Sequence, residues 1–206
     1  MITGPGLLFV VSGPSGAGKD TLVDALRERM SRLRYSVSAT TRAPRAGEVE
    51  GEDYFFLTRE EFQRRIAADG FLEWREYNGN LYGTPRDYVE RTLAEGYDLI
   101  MKPEVNGAIA IKSRFPDGVL IFLVPDKLSN LRKRLLARRT ETTEEIAERL
   151  EIARREMKFI RDFDYILINE EGNSAQAVRD LEAILQAERF RIHRYSDDSI
   201  ASVESN

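Results

Sequence analysis

The sequence predicts an α/β fold in which helices cover both faces of a mostly parallel sheet. Short apolar runs, typical of buried strands, alternate along most of the chain with longer segments whose apolar residues recur at helical spacing. Strands and helices that alternate in this way form parallel sheets, because each helix returns the chain to the edge where the next strand starts. A strand-rich stretch from about Tyr35 to Asn80 interrupts the alternation, and we interpret it as an inserted lobe.

The strands of the core are predicted from short apolar runs, as expected of strands buried on both faces. They are Leu7–Val11, Leu99–Met101, Val119–Val124 and Tyr165–Asn169. The inserted stretch contains three further strand patterns, which are Tyr35–Thr41, Asp53–Leu57 and Phe71–Tyr77. The pair Asn78-Gly79 that follows is a strong signal for a hairpin turn.

Helices are predicted where apolar residues lie three or four positions apart. The first is Thr21–Leu33. The second, Thr58–Asp69, opens with a capping box in which Thr58 and Glu61 satisfy backbone N–H groups at the start of the helix. The remaining predicted helices are Thr84–Gly96, Lys127–Arg138, Thr142–Phe159 and Ser174–Phe190.

Composition excludes several classes of function. The 206 residues include no cysteine and one histidine, His193, which excludes a disulfide scaffold, thiol catalysis and histidine-based sites. The net charge of −4 argues against a nucleic-acid-binding protein. The longest apolar run, Val119–Val124, is far shorter than the ~20 residues of a membrane helix, and no secretory signal is visible, so we expect a cytoplasmic protein. Residues 191–206 are predicted to form a disordered tail.

A glycine-rich turn follows the first predicted strand and precedes the first predicted helix. Its sequence is Gly13-Pro14-Ser15-Gly16-Ala17-Gly18-Lys19. The glycines let successive backbone N–H groups turn inward around phosphate oxygens, and Lys19 reaches the outer phosphates as a point charge. The alternative is a plain strand-to-helix turn, but the spacing and both flanking elements match a phosphate-binding loop.

The residues after this lysine depart from the usual loop. Phosphate-binding loops carry a Ser or Thr hydroxyl at the next position, where it holds Mg²⁺. This chain has Asp20 there, followed by Thr21, and we include both in the predicted phosphate-binding set. Asp20 either binds Mg²⁺, directly or through water, or is an acidic residue stabilised by the helix dipole. We favour the metal-related role.

Several motifs, in the right order, closely resemble those of guanylate kinase, the enzyme that phosphorylates GMP with ATP. Besides the phosphate loop they are Ser38–Glu48, Gly51–Phe56, Phe71–Trp74 and Asn80–Thr84. The resemblance covers about Leu7 to Glu188 and implies a P-loop NTPase-type core within a single domain over residues 4–190. It also implies a GMP-binding lobe over about 35–96 and a helical lid over about 134–155. ATP and GMP would be the substrates, with Mg²⁺ as cofactor, in purine nucleotide metabolism.

The resemblance assigns a GMP site residue by residue. The matching residues are Ser38, Arg42, Arg45, Tyr54, Glu73, Tyr82, Thr84 and Glu104. The chemistry agrees, because two arginines and two tyrosines supply the donors that a dianionic phosphate needs. Glu73 would accept from N1–H and the 2-amino group of guanine, two donors that adenine lacks. Without the motif these residues would be solvated loop arginines, core tyrosines and an exposed strand glutamate.

The resemblance also implies catalytic residues around the ATP phosphates. They are Lys19, Arg42, Arg134, Arg138 and Arg149. The lid arginines would stabilise charge that spreads over the transferring phosphoryl group. Asn169 matches a residue near the adenine in the family. A solvated helix face is the alternative interpretation of the three lid arginines.

One predicted strand end departs from the family pattern. Family members carry two acids around an apolar residue, whereas this chain has Lys102-Pro103-Glu104. Glu104 keeps the acid that lies toward guanine, and Lys102 replaces the acid near the phosphate loop. We hypothesise that Asp20 and Lys102 have exchanged charges, with Lys102 pairing with Asp20 or helping to hold phosphate. The opposing hypothesis is damaged metal binding and low activity.

Three functions compete on this evidence. The leading hypothesis is an ATP-dependent kinase of GMP and dGMP, a monomer or homo-oligomer with no nucleic-acid or membrane partner. A non-catalytic guanylate-kinase-like binding module is disfavoured by the intact phosphate loop. A kinase for another nucleoside monophosphate is disfavoured by Glu73 together with Ser38.

Overall fold

The computed structural model describes residues 5–127, 129–131, 136 and 143–195. The strands are β1 Leu8–Ser12, β2 Leu33–Tyr35, β3 Ser38–Thr40, β4 Tyr54–Phe56, β5 Phe71–Tyr77, β6 Asn80–Pro85, β7 Asp98–Met101, β8 Val119–Pro125 and β9 Tyr165–Asn169. The helices are α1 Lys19–Arg29, α2 Arg59–Ala67, α3 Arg86–Ala94, α4 Val105–Arg114, α5 Thr143–Glu156 and α6 Ser174–Arg189. Short 3₁₀ helices, Met157–Asp162 and Ile192–Arg194, follow α5 and α6.

The first sheet has five parallel strands in the order β2-β7-β1-β8-β9, as the alternation of strands and helices predicted. β1 lies between β7 and β8 and is buried along its whole length. One face packs against α1 and α6 through residues such as Leu22 and Leu181. The other face packs against α3 and α4 through Val89 and Ala108. Burial on both faces explains the unbroken apolar runs of β1 and β8.

The second sheet has four strands in the order β4-β3-β6-β5 and lies within the stretch that interrupts the alternation. β3 pairs parallel with β4 and antiparallel with β6, and β5 and β6 form a hairpin. Its turn is Asn78-Gly79, as predicted, and both residues have the positive φ, 49° and 74°, that a tight hairpin turn requires. α2 covers the sheet, with Phe62 stacked on Phe71 at 4.2 Å between ring centroids.

The prediction of one strand over Tyr35–Thr41 is wrong, because the chain crosses here from one sheet to the other. β2 ends at Tyr35 in the five-stranded sheet, and β3 begins at Ser38 in the four-stranded sheet. The local pattern hides this crossing, since both pieces have the composition of a strand. The first predicted helix also ends early, because Leu33 already pairs with β7.

One further helix was not predicted, and one predicted helix begins later than expected. α4 was not predicted, because neighbouring apolar residues hide the helical period of its buried face, which carries Val105, Ala108 and Ile111. The helix predicted over Thr84–Gly96 begins only after Pro85, because β6 continues through that residue. The core strands, β5, and the other described helices are confirmed to within a few residues at their ends.

The first residues of the predicted tail form a short 3₁₀ helix, Ile192–Arg194. The expectation of a disordered tail over 191–206 is wrong for its first part, since Arg194 lies in a 3₁₀ helix and donates to the buried carboxylate of Glu188 at 2.9 Å. Residues 196–206 lie outside the described residues, as does much of the predicted helix Lys127–Arg138. None of the helices in the described ranges is both long and apolar enough to cross a membrane.

The side chain of Thr58 caps α2 as predicted, because its Oγ1 accepts from the backbone N–H of Glu61 at 3.1 Å. We expect Thr58→Ala to lower the free energy of unfolding by about 1 kcal/mol, since this N–H loses its acceptor. The matched control is Asn173→Ala at the start of α6, where the side chain makes no capping hydrogen bond. Denaturant unfolding of both variants checks the prediction, and equal losses would contradict it.

Candidate active site

The phosphate loop leaves the end of β1 and enters α1 through three glycines with positive φ: Gly13, Gly16 and Gly18. At Gly13 the φ is 136°, and a Cβ atom would lie 2.1 Å from the carbonyl oxygen of Leu123 on β8. Only glycine therefore fits this position. The close contact sets the direction in which the chain leaves the sheet and turns toward the first helix.

The lysine of the loop folds back over it. Lys19 Nζ donates to the carbonyl oxygens of Gly13 at 2.5 Å and Pro14 at 3.1 Å. Burial lowers the pKa of the Lys19 ammonium, while the carboxylates of Glu156 and Asp20 act in the opposite direction. The ammonium is thus held at the loop, where a bound phosphate would present further acceptors.

Two more predicted residues contact the loop directly. Asn169, at the end of β9, is 4% exposed and donates from Nδ2 to the carbonyl of Ala17 at 2.7 Å. Arg149 of α5 donates to Ser15 Oγ at 3.5 Å. The structure therefore brings one of the three lid arginines to the loop. The other two, Arg134 and Arg138, lie outside the described residues.

The sequence analysis missed Glu156, the last residue of α5. Its Oε2 is buried and has no hydrogen-bond partner among the described residues. Burial raises the pKa of this carboxyl, and the charge of Lys19 opposes that rise. Glu156 follows Arg149 by seven residues, or two helical turns, so one face of α5 presents both to the loop. That spacing is the signal from which it could have been found.

The predicted pairing of Lys102 with Asp20 is confirmed. Lys102 Nζ lies 2.5 Å from Asp20 Oδ1, and the ammonium also lies 4.9 Å from the centre of the Tyr35 ring. The side chain of Lys102 is 16% exposed and that of Asp20 is 78% exposed. Burial alone would lower the pKa of Lys102, but the hydrogen bond to Asp20 and the neighbouring Tyr35 outweigh it, so the pKa is raised. Lys102 therefore keeps its positive charge at neutral pH, and its ammonium lies between the phosphate loop and the cavity described next.

A cavity of about 780 Å³ opens between the two sheets. Six of the predicted GMP-binding residues line it: Ser38, Tyr54, Glu73, Tyr82, Thr84 and Glu104. Lys102 and Tyr35 also line it, so the ion pair with Asp20 connects the cavity to the phosphate loop. Residues from six strands, β2 to β7, and from α4 thus meet in one space.

Glu73 is the most distinctive group in this cavity. Its Oε1 accepts a hydrogen bond from Thr84 Oγ1 at 2.7 Å, across the hairpin between β5 and β6. Burial raises the pKa of this carboxyl, and the hydrogen bond from Thr84 and the charge of Arg75 partly offset that effect. A partly buried carboxylate with few donors favours a ligand that supplies them.

Arg42 and Arg45 are not among the residues that line the cavity. Arg42 makes a bidentate ion pair with Glu48, at 2.9 and 2.8 Å, and lies 5.3 Å from the centre of the Tyr54 ring. The hydrogen bond from Arg42 lowers the pKa of Glu48. Arg45 is exposed, and its backbone N–H donates to Glu48 at 2.7 Å. Glu48 thus organises the arginine loop, a role that the sequence analysis did not assign.

The fold and the loop define the class of protein. A parallel α/β sheet whose central strand leads into a glycine-rich loop, a lysine and a helix is the nucleotide-binding core of P-loop proteins. The family model of guanylate kinase matches residues 6–188. The chain belongs to the guanylate kinase family.

Similar proteins agree over almost the whole chain. The guanylate kinase of Halalkalibacterium halodurans is 48% identical over 189 residues, which covers 92% of each chain. That of Bacillus subtilis is 46% identical over 190 residues, again 92% of each chain. The crystal structure of guanylate kinase from Anaplasma phagocytophilum has a TM-score of 0.69 at 31% identity and covers 93% of this chain and 90% of that one. The similarity therefore spans both the loop and the cavity.

We expect Glu73→Gln to stabilise the protein at neutral pH and to impair its use of GMP. Because burial raises the pKa of Glu73 above its ordinary 4.5 in the folded protein, stability falls as the pH rises above 4.5, and the full cost is present once the pH exceeds the folded-state pKa. The amide removes that cost. The same change should lower kcat/KM for GMP by at least ~10-fold, since a charge-assisted hydrogen bond is lost.

Unfolding measured between about pH 4.5 and pH 7 checks the sign, because the stabilisation should vanish at the acidic end, where the wild-type carboxyl is protonated. Glu52→Gln, at an exposed position, serves as the control. A stabilisation that persists unchanged at low pH would show that the ionised carboxylate is not its cause.

Proposed function

We propose that this protein transfers the γ-phosphoryl group of ATP to GMP, and to dGMP, giving ADP and GDP. The observation that carries the proposal is a partly buried acceptor carboxylate, Glu73, in a cavity that the Lys102–Asp20 ion pair connects to the phosphate loop. Membership of the guanylate kinase family supports the same reaction. A cytoplasmic location and a role in purine nucleotide metabolism and GMP recycling follow from this proposal.

On the acceptor side, guanine would enter the cavity with N1–H and its 2-amino group toward Glu73. Thr84 already donates to one oxygen of this carboxylate, so the base completes its set of donors. A base that lacks these donors leaves the partly buried carboxylate with only the hydrogen bond from Thr84 and is therefore disfavoured. The phosphate of GMP would lie at Tyr54 and Tyr82, which line the same cavity. Arg42, whose guanidinium lies near the Tyr54 ring, and the exposed Arg45 would supply the remaining hydrogen-bond donors to this phosphate.

On the donor side, the loop amides and Lys19 would hold the ATP phosphates. Lys19 would exchange the carbonyls of Gly13 and Pro14 for phosphate oxygens. Arg149, beside Ser15, is placed to meet charge on the transferring group. We assign Arg134 and Arg138 the same role within a lid over residues 134–155, and we assign the four-stranded sheet to the GMP-binding lobe. Asn169, close to the loop, is the proposed adenine contact.

The transfer itself requires no covalent intermediate with the protein. A phosphate oxygen of GMP forms a bond to the γ-phosphorus of ATP, and the bond from that phosphorus to the bridging oxygen breaks, leaving its electron pair on ADP. The second pKa of a phosphate monoester is about 6, so the nucleophile is largely dianionic at neutral pH and needs no general base. The protein contributes positioning and stabilisation of charge.

Mg²⁺ is the proposed cofactor. The described residues contain no group of three or more acidic or histidine side chains that could hold a metal by themselves. Asp20, one of two carboxylates near Lys19 together with Glu156, is largely exposed. This donor set fits Mg²⁺, which typically takes one or two carboxylates together with substrate phosphates and water. When bound, the ion neutralises charge on the β- and γ-oxygens of ATP.

A coupled assay of ADP formation with GMP, AMP, CMP and UMP tests the reaction. We expect turnover with GMP, and Lys19→Met should lower it by about 100-fold or more, because a donor to the transition-state charge is lost. Lys158→Met, at an exposed position, is the matched control. GMP binding without ADP formation would identify a binding module instead, and faster turnover of another monophosphate would assign a different kinase.

Substitutions in the ion pair of Asp20 and Lys102 should affect the transfer step. Asp20→Ala should lower kcat more than it raises the KM for GMP, because the metal acts on transfer and not on acceptor binding. Lys102→Asp alone should also impair activity, since it places two carboxylates together. The double variant Asp20→Ser with Lys102→Asp should recover much of this loss, as it restores the hydroxyl and the acid of the usual arrangement.

Steady-state kinetics of these three variants and of the single variant Asp20→Ser, with Glu28→Ala on the exposed face of α1 as control, check this coupling. A double variant no better than the product of the two single effects would show that the positions act independently. Full activity of Asp20→Ala would remove this carboxylate from the reaction.

A further inference from the structure

An ion pair joins the two walls of the cavity at its edge. Arg75 lies on β5 of the four-stranded sheet. Glu104 lies just before α4, which packs against the five-stranded sheet. Both side chains line the cavity. Arg75 Nη1 contacts Glu104 Oε1. The guanidinium also lies 5.7 Å from the centre of the Tyr77 ring on the same strand, which helps to hold it over the cavity.

Arg75 and Glu73 are neighbours on one face of β5. Residues two apart on a strand point to the same side and lie about 7 Å apart along it. The two charges are close enough to act on each other, since Arg75 opposes the burial that raises the pKa of Glu73. A ligand group that reaches Glu73 therefore has the guanidinium of Arg75 beside it.

The base that the proposed function places here has an edge that matches this pair. Guanine presents two donors, N1–H and the 2-amino group, next to an acceptor, O6. An ionised carboxylate can only accept, so Glu73 has no means of binding O6. An arginine only donates, and in protein–DNA complexes its contact with O6 and N7 is the commonest specific contact to guanine.

We propose that Arg75 is a specificity-determining residue that donates to O6 of guanine while Glu73 accepts from N1–H and the 2-amino group. The inference rests on the proposed function, because it needs GMP in this cavity. The guanidinium has five N–H donors in a fixed fork, so it can keep its contact with Glu104 while another N–H binds the base. Adenine would place an amino donor against these N–H groups, and the contact would become unfavourable.

The test compares GMP with 6-thio-GMP, in which sulfur, a poor acceptor, replaces O6 while N1–H and the 2-amino group remain. We expect Arg75→Ala to lower kcat/KM for GMP by about 10-fold or more, the effect of losing a charge-assisted hydrogen bond. For 6-thio-GMP the same substitution should lower kcat/KM by less than about 3-fold, since the wild-type contact is already weak.

Arg59→Ala is the matched control, because Arg59 makes an ion pair of similar exposure with Glu76 in the same sheet and does not line the cavity. Arg59→Ala should leave kcat/KM unchanged for both substrates. Thermal unfolding verifies that each variant is folded. Equal losses of Arg75→Ala on both substrates would overturn the proposal and show that Arg75 acts only through Glu104. No loss on either would also overturn it. A wild-type protein that does not turn over GMP would instead refute the proposed function.

Discussion

The carboxyl ends of parallel strands lie at one edge of a sheet, and the candidate site depends on this constraint. β1 delivers the phosphate loop to that edge, β7 delivers Lys102, and β9 delivers Asn169. Hydrogen bonds then join these segments. Ser12 Oγ donates to the carbonyl of Pro103 at 2.8 Å, and Asn169 donates to the carbonyl of Ala17. A shift of any one strand would move the loop relative to the groups that serve it.

The charged groups of the site are paired with each other in a consistent way. Four cations near the loop and the cavity contact a carboxylate or a carbonyl: Lys19 with Gly13 and Pro14, Arg42 with Glu48, Arg75 with Glu104 and Lys102 with Asp20. Because each of these cations has an acceptor of its own, the four positive charges can lie near one another with little loss of stability from their mutual repulsion. Nucleotide phosphates must then compete for these cations, so an anion that satisfies several of them at once is favoured over one that meets only one.

Specificity and stability oppose each other in this cavity. Glu73 is partly buried, an ionised carboxylate is unfavourable there, and its raised pKa reflects that cost. The same burial makes the group selective, because a ligand without matching donors leaves it unpaired. Gly13 shows a related compromise, since a side chain there would gain backbone order but clash with β8.

The sequence alone determined the α/β class, the phosphate loop, the hairpin at Asn78-Gly79 and the family, because each depends on local patterns of residues. Even the pairing of Lys102 with Asp20 was foreseen, from two charge changes at positions that the family places together. Only the tertiary structure decided that the chain crosses between sheets after Tyr35, and that Glu156 and Arg75 reach the loop and the cavity. These facts depend on contacts between residues far apart in the chain, and local periodicity carries no information about such contacts.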